Sequence, residues 1–253
     1  MLHENPARAF HYLAAGARLL MQPGLRAFVI VPLLINILIF ILLTAWAVNT
    51  LTDYYQHALQ QNHWLSWLLL IFWLFAGLLA LLGYGYTFNL LTTFIAAPFY
   101  GVLAEKIEQR LTGQTPPGEA IGSLVVRTFR RELIKLWYFF SRGLLVFLVM
   151  LVLFFVPLFG SLVAALLGGI WSAWCMTVQY TDYAADNHRV EFEAMRAQLR
   201  RNNLSSLGLG GLVMAGSMIP VVNIFITPLA VAAGTLYWLE QNGESSPPLP
   251  GNY

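Results

Sequence analysis

Charge and cysteine are what this chain has least of. Charged residues make up 10% of its 253 residues and hydrophobic ones 58%, more apolar surface than a soluble domain of this length hides in one core. The single cysteine, Cys175, lies inside an apolar segment, which excludes disulfides and cysteine-based metal sites. No G-x-x-x-x-G-K-[ST] pattern occurs, so the chain does not hydrolyse nucleotides through a P-loop. An H-E-x-x-H zinc motif and a G-x-S-x-G nucleophile elbow are both missing, and the five histidines are scattered. The chain is therefore not expected to be an enzyme, nor to need a cofactor, a metal or a nucleic-acid partner. No cleavable signal peptide is evident, since the stretch carrying His3, Glu4, Arg8 and Arg18 has no short apolar core with a small-residue cleavage site.

What the chain does have is long apolar stretch. Ala27 to Leu51 is long enough to span a bilayer, and a second span starts near Trp64 and runs to a break at Pro98. Two further segments, Leu144 to Val178 and Leu204 to Leu239, are each interrupted near the middle, by Pro157 with Gly160 and by Pro220 after Gly216. Roughly 35 helical residues extend about 52 Å, against a hydrocarbon core of roughly 30 Å. That is too long for one span and too short for two spans and a turn, so each segment is expected to enter the membrane as a hairpin and return. Broken backbone at membrane depth survives only inside protein or beside a cavity, and paired breaks point to a translocation site. The predicted fold is an all-α integral membrane protein, one helical domain over residues 1–242. It has spans at about 27–51 and 64–97 and hemi-penetrating hairpins at about 144–178 and 204–239.

The rest of the chain is expected at the surface. Up to Gly24, helical spacing of Phe10, Leu13, Ala14, Ala17 and Leu20 predicts an amphipathic helix. Thr52 to His63 reads as a short polar loop, Thr115, Pro116, Pro117 and Gly118 as a turn, and residues 243–253 as a disordered tail. Trp46, Trp64 and Trp67 read as interfacial anchors, and Gly211 with Ala215 as a small-xxx-small packing element. All 14 Lys and Arg lie before the first span, between Lys106 and Arg142, or between Arg189 and Arg201, and none lies in the loop 52–63. Two spans and two returning hairpins put all three regions on one face, which the positive-inside rule makes cytoplasmic.

Three constellations carry chemistry. Gln22, Pro23, Gly24, Leu25 and Arg26 form a Pro-Gly turn at the start of the first span. Free N–H groups at a positive helix end, with an arginine beside them, suit an oxyanion. Arg26 equally reads as a snorkelling residue that sets topology. Arg127, Arg131, Lys135 and Arg142 form a basic stripe on one helix, and like charges one turn apart repel by roughly 0.2–0.5 kcal/mol per pair. Something must offset that: acids on a neighbouring helix, of which Glu105 and Glu108 are the obvious ones, lipid phosphates, or a permeating anion. Finally, Asp182, Asp186, Asn187 and His188 follow the first hairpin. A proton relay or metal pair competes there with helix-capping and salt-bridge roles, which are the commoner use of such residues.

At these positions the chain resembles a known family. The blocks are Gln22-Pro23-Gly24-Leu25-Arg26, Pro32-Leu33-Leu34-Ile35-Asn36 and Ile95-Ala96-Ala97-Pro98-Phe99. Then come Leu103-Ala104-Glu105 through Arg110-Leu111-Thr112-Gly113, Asp186-Asn187-His188, and Met218-Ile219-Pro220 with Asn223. In this order and spacing, over all but the tail, they resemble the CysZ family of bacterial sulfate permeases, inner-membrane proteins that import sulfate for cysteine biosynthesis. The resemblance implies two long transmembrane helices with two hemi-penetrating hairpins, and assembly as a homo-oligomer in the lipid bilayer. It also implies that sulfate binds at a Gly-Leu-Arg-Arg turn. Gly24, Leu25 and Arg26 match that turn, while Ala27 stands where the family has its second arginine. The family's charged core carries over as pore candidates to Glu105, Glu108, Arg110, Arg127, Arg131 and Glu132. His188 and Asp182 are candidates for proton coupling, and sulfite is a candidate inhibitor or competing substrate. The expected function is a sulfate permease, pore-like or proton-coupled. The alternative is a membrane scaffold or accessory subunit with the same fold and no transport of its own.

Overall fold

The computed structural model describes residues 8–59, 66–114 and 120–243, and all of their regular structure is helical. The predicted turn at 115–118, the start of the second span at 64 and the tail from 244 lie outside the described residues. The helices are α1 (Arg8–Leu20), α2 (Ala27–Leu59), α3 (Ser66–Thr112) and α4 (Ile121–Phe154), then α5 (Gly160–Asn187), α6 (Phe192–Arg201), α7 (Asn203–Ser217) and α8 (Pro220–Gln241). Five stretches are long and apolar enough to cross a membrane: Ala27–Thr50, Gly77–Thr112, Gly122–Phe154, Gly160–Asn187 and Val222–Gln241. Large apolar side chains stay uncovered along them, among them Leu34, Leu38 and Leu42 on one face of α2 and Leu162, Leu166 and Ile170 on α5. Apolar surface on this scale marks a membrane protein.

Several boundaries differ from the sequence expectation. The expected loop 52–63 is helical as far as Leu59, because the stretch holds no proline or glycine. Its polarity marks where a helix leaves the apolar phase and does nothing to end the helix. Pro98 does not break α3, which continues to Thr112. Proline removes one N–H donor, and membrane helices accept that loss where neighbouring groups adjust. The packed pair α4–α5 extends beyond the expected 144–178, since α4 begins at Ile121 and carries the basic stripe and the apolar limb in one helix. Its break falls at Phe155–Phe159, and Leu158 takes a positive φ of 69° there. The packed pair α7–α8 breaks at Met218–Ile219, with Pro220 opening α8 where its missing N–H costs nothing.

The chain divides into two compact units, residues 30–96 and the remainder. Inside the first, the Tyr84 hydroxyl lies 2.8 Å from that of Thr44, and the ring of Phe40 meets Tyr84 and Phe88 edge-on. The larger unit is built around α5, which packs on α4, α6, α7 and α8. Backbones touch at two glycines. A Cβ on Gly210 of α7 would fall 1.7 Å from the Ala173 carbonyl oxygen of α5, and one on Gly234 of α8 would fall 2.7 Å from that of Tyr180. The expected packing element at Gly211 is off by one residue: Gly211 faces open space. The first helix also departs in part from expectation. It is amphipathic as expected, but its buried face is Ala9, Tyr12, Gly16 and Leu19 against α8, and Phe10, expected on the apolar face, is exposed. Its end is fixed by Glu240, which accepts from Tyr12 Oη at 2.7 Å and pairs with Arg8 at 2.5 Å. Desolvation, with Glu240 adding to it, pushes the Tyr12 phenol up from its ordinary pKa.

The contact at Gly210 gives a paired test. Gly210→Ala places a methyl on a backbone carbonyl and is expected to destabilise by about 1–3 kcal/mol, whereas Gly211→Ala leaves stability unchanged or slightly raised. Thermal unfolding of the two variants in detergent separates them; equal melting temperatures would contradict the packing described.

Candidate functional site

The basic stripe of α4 finds its counter-charges on α5. Two helices joined by a tight turn run antiparallel, so bases spaced one turn apart on α4 meet acids spaced one turn apart on α5 in reverse order. Arg127 pairs with Asp186, and it also donates to the Asp186 carbonyl at 2.7 Å. Arg131 grips Asp182 through two nitrogens, Nε at 3.0 Å and Nη2 at 2.7 Å. The next α5 residue in this register is Val178, which offers Lys135 nothing. Lys135 instead takes Glu132 on its own helix at 2.5 Å and Asp182 at 3.4 Å, and lies over the Tyr183 ring at 4.4 Å. Lys135, Glu132 and Asp182 are almost wholly buried, and an ammonium without carboxylates there would be untenable. Glu105 and Glu108 are thus not the partners of the stripe. The acids are Asp182 and Asp186, whose one-turn spacing, read against the hairpin, was the available signal.

Asp186, Asn187 and His188, at the end of α5, fasten three places. Asp186 holds α4; Asn187 Nδ2 donates to the Gly101 carbonyl of α3 at 2.8 Å. His188 Nε2 lies 2.9 Å from Glu108 Oε1 and 3.0 Å from Oε2, with Glu108 almost fully buried. Among the described residues no group of His, Cys, Asp and Glu converges to hold a metal ion.

Two residues either side of Glu108, on the opposite face of α3, Lys106 and Arg110 reach the Pro-Gly turn. Gly24 sits at φ 91°, a conformation that disfavours any side chain. Arg110 braces the turn, donating from Nη1 to Gln22 Oε1 at 2.8 Å and from Nη2 to the Pro23 carbonyl at 3.2 Å. Arg26 turns its Nε back to the Met21 carbonyl at 2.7 Å, closing the end of α1. The N–H groups of Leu25, Phe28 and Val29 are taken by the carbonyls of Gln22, Leu25 and Arg26. A cavity of about 360 Å³ opens here, lined by Gly24, Leu25, Lys106, Gln109 and Arg110. Lys106 donates to Gln109 Oε1 at 3.3 Å, and no acid lines the cavity among the described residues. The structure therefore brings Gly24, Leu25 and Arg110 together, adds Lys106 and Gln109, and turns Arg26 toward the turn's own backbone. Sequence reading missed Lys106; its one-turn spacing from Arg110 was the signal. Glu105 is half-buried on the same helix, and Arg127, Arg131 and Glu132 belong to the α4–α5 ladder.

A multi-pass helical membrane protein is the class that the fold defines, and its cavity at Gly24 is lined by two cations, Lys106 and Arg110. The profile of the family described as "Sulfate transporter CysZ/Etoposide-induced protein 2.4" matches residues 12–228. A protein of Pectobacterium atrosepticum named "Sulfate transporter CysZ" is 40% identical over 256 aligned positions, covering 98% of this chain and 92% of that protein. The chain belongs to the sulfate transporter CysZ/etoposide-induced protein 2.4 family, a transporter family and not a family of enzymes.

The ladder yields a stability prediction. Asp182→Asn removes the carboxylate shared by Arg131 and Lys135 and is expected to cost about 3–5 kcal/mol; Glu105→Gln is expected to stay within about 0.5 kcal/mol of the parent. Unfolding in mixed detergent micelles measures both, and an Asp182→Asn protein as stable as the parent would refute the ladder.

Proposed function

We propose that this chain is a sulfate permease of the bacterial inner membrane that supplies sulfate for cysteine biosynthesis. The observation that carries the reading is the cavity at the Gly24–Leu25 turn, cationic through Lys106 and Arg110, in a chain whose relative is named a sulfate transporter. Sulfate docks against that turn. Arg110 and Lys106 supply the positive charge that Ala27 does not, and Arg26 holds the turn in shape or swings from Met21 to the anion. Within the charged core, Arg127, Arg131 and Glu132 frame the pathway, the two arginines compensated by Asp186 and Asp182 on α5 and Glu132 by Lys135 on α4. Arg110 faces the anion, while Glu105 and Glu108 lie on α3 outside the cavity lining, Glu108 against His188. A conductor must release what it binds. The name of the relative, a sulfate transporter, supports transport over a scaffold role.

In this reading α2 and α3 are the two full transmembrane helices and the hairpins α4–α5 and α7–α8 penetrate part-way. Beyond Arg142, the last charge on α4, the limb to Phe154 is only about 18 Å long, and α7 with its 15 residues extends about 22 Å. Both fall short of a core of roughly 30 Å. Returning hairpins keep the N-terminal region and the basic clusters cytoplasmic, and the protein works as a homo-oligomer in the bilayer. An inside-negative potential of 100 mV opposes the sulfate dianion by about 4.6 kcal/mol, roughly a 2,000-fold concentration ratio. Uptake is therefore either a pore drained by rapid assimilation or coupled to protons. The His188–Glu108 pair is the better relay; Asp182 is held by Arg131 and Lys135, and protonating it would undo the ladder.

Binding tests the site directly. Lys106→Ala, which leaves the bonds of Arg110 to the turn in place, is expected to weaken radiolabelled sulfate binding by about tenfold or more, the effect of one hydrogen bond to a charged group. Ala27→Arg, restoring the second guanidinium, is expected to tighten it, and sulfite should compete where chloride does not. Equilibrium dialysis that finds all three proteins alike would place sulfate elsewhere.

A further inference from the structure

A second cavity, of about 440 Å³, opens between α4, α5 and α7. Its walls are apolar: Val146, Leu167, Ile170, Trp171 and Leu207. Its mouth is polar, formed by Arg200 at the end of α6 and Asn203, the first residue of α7. The chemistry thus changes from cation to hydrocarbon along one groove. From the level of Trp174 near Arg200 to Leu167, α5 descends about 10 Å, roughly a third of a hydrocarbon core. Below it the exposed apolar face continues through Leu166 and Leu162.

The walls are fixed before anything enters. Trp174 is buried, and its indole N–H donates to the Tyr138 hydroxyl at 3.0 Å. The Trp171 ring lies 5.9 Å from that of Tyr138. Arg200 is exposed, with its guanidinium 5.9 Å from the Trp174 ring, and it makes no ion pair among the described residues. The ladder cations Arg127, Arg131 and Lys135 all do. Among the described residues no acid lines the groove and no side chain caps the adjoining start of α7. A cation without a partner, poised above an apolar slot on a lipid-facing helix, complements a molecule with one anionic head and one hydrocarbon tail.

We propose that this groove binds an anionic phospholipid, its phosphate at Arg200 and Asn203 and one acyl chain along Leu167 and Ile170. The bound lipid wedges the first hairpin against α7 and completes the wall that the protein leaves open. This site is independent of the anion cavity at Gly24 and stands whether or not sulfate binds there.

The test uses delipidated full-length protein in detergent, titrated with phosphatidylglycerol or phosphatidylcholine, with bound lipid counted by native mass spectrometry. The parent is expected to hold phosphatidylglycerol more tightly than phosphatidylcholine. Arg200→Ala is expected to lose at least about fivefold in phosphatidylglycerol affinity, the effect of one cation at an anionic headgroup, and little for phosphatidylcholine. Leu167→Trp, which fills the slot, should weaken both lipids, and Arg130→Ala, an exposed cation on α4 outside the groove, neither. Arg200→Gln serves if Arg200→Ala does not fold. Equal affinity for the two lipids, or parental phosphatidylglycerol binding by Arg200→Ala, would overturn the proposal. Displacement of the lipid by equimolar inorganic phosphate would also overturn it, leaving a simple anion site. So would unchanged lipid binding with loss of the oligomer, which would place a second copy in the groove.

Discussion

The rest of the structure hangs on the ion-pair ladder between α4 and α5. Charge is scarce in this chain, yet three cations and three carboxylates, Arg127, Arg131, Lys135, Glu132, Asp182 and Asp186, meet in one partly buried seam. Such a seam is not a source of stability in itself, because desolvation cancels much of the attraction. What it does is forbid alternatives. Sliding α5 along α4 by one turn would leave buried charges unmatched, each at a cost of several kcal/mol. The register of the hairpin is thereby set by charge, while the apolar side chains around it would tolerate many registers.

From that register the anion cavity follows. Fixing α5 fixes Asn187 and His188, which hold α3 at Gly101 and Glu108. Lys106 and Arg110 flank Glu108 on the same helix, and Arg110 in turn braces Gln22 and Pro23. The turn that opens α2 is thus positioned through three successive contacts that begin at the ladder. The division of labour is electrostatic. Ladder cations are paired with carboxylates, whereas Lys106 and Arg110 donate to Gln109, Gln22 and the Pro23 carbonyl and line a cavity with no acid among its described lining residues.

Much of this was legible in the sequence. Helical class, the membrane setting and the breaks near Pro157 and Pro220 followed from composition, apolar length and helix breakers. Helix ends were less legible, because hydropathy reports where a helix meets water and not where it stops, as Thr52–Leu59 and Pro98 illustrate. The partners of the basic stripe were misassigned to Glu105 and Glu108 because pairing between helices depends on register, and register depends on the hairpin. Gly210 was missed for Gly211 for the same reason: adjacent glycines differ only in which faces a neighbour. Lys106 was overlooked because a lone lysine on an acidic stretch looks like a solvated charge until α1 and its turn are brought against it.

Radiolabelled sulfate entry into liposomes containing only this protein, measured with and without an inward proton gradient, tests the central claim most directly. The account predicts saturable entry that sulfite blocks and chloride does not. Entry without the gradient identifies a pore, and entry only with it identifies proton coupling. No entry under either condition would contradict the permease and leave the fold a scaffold.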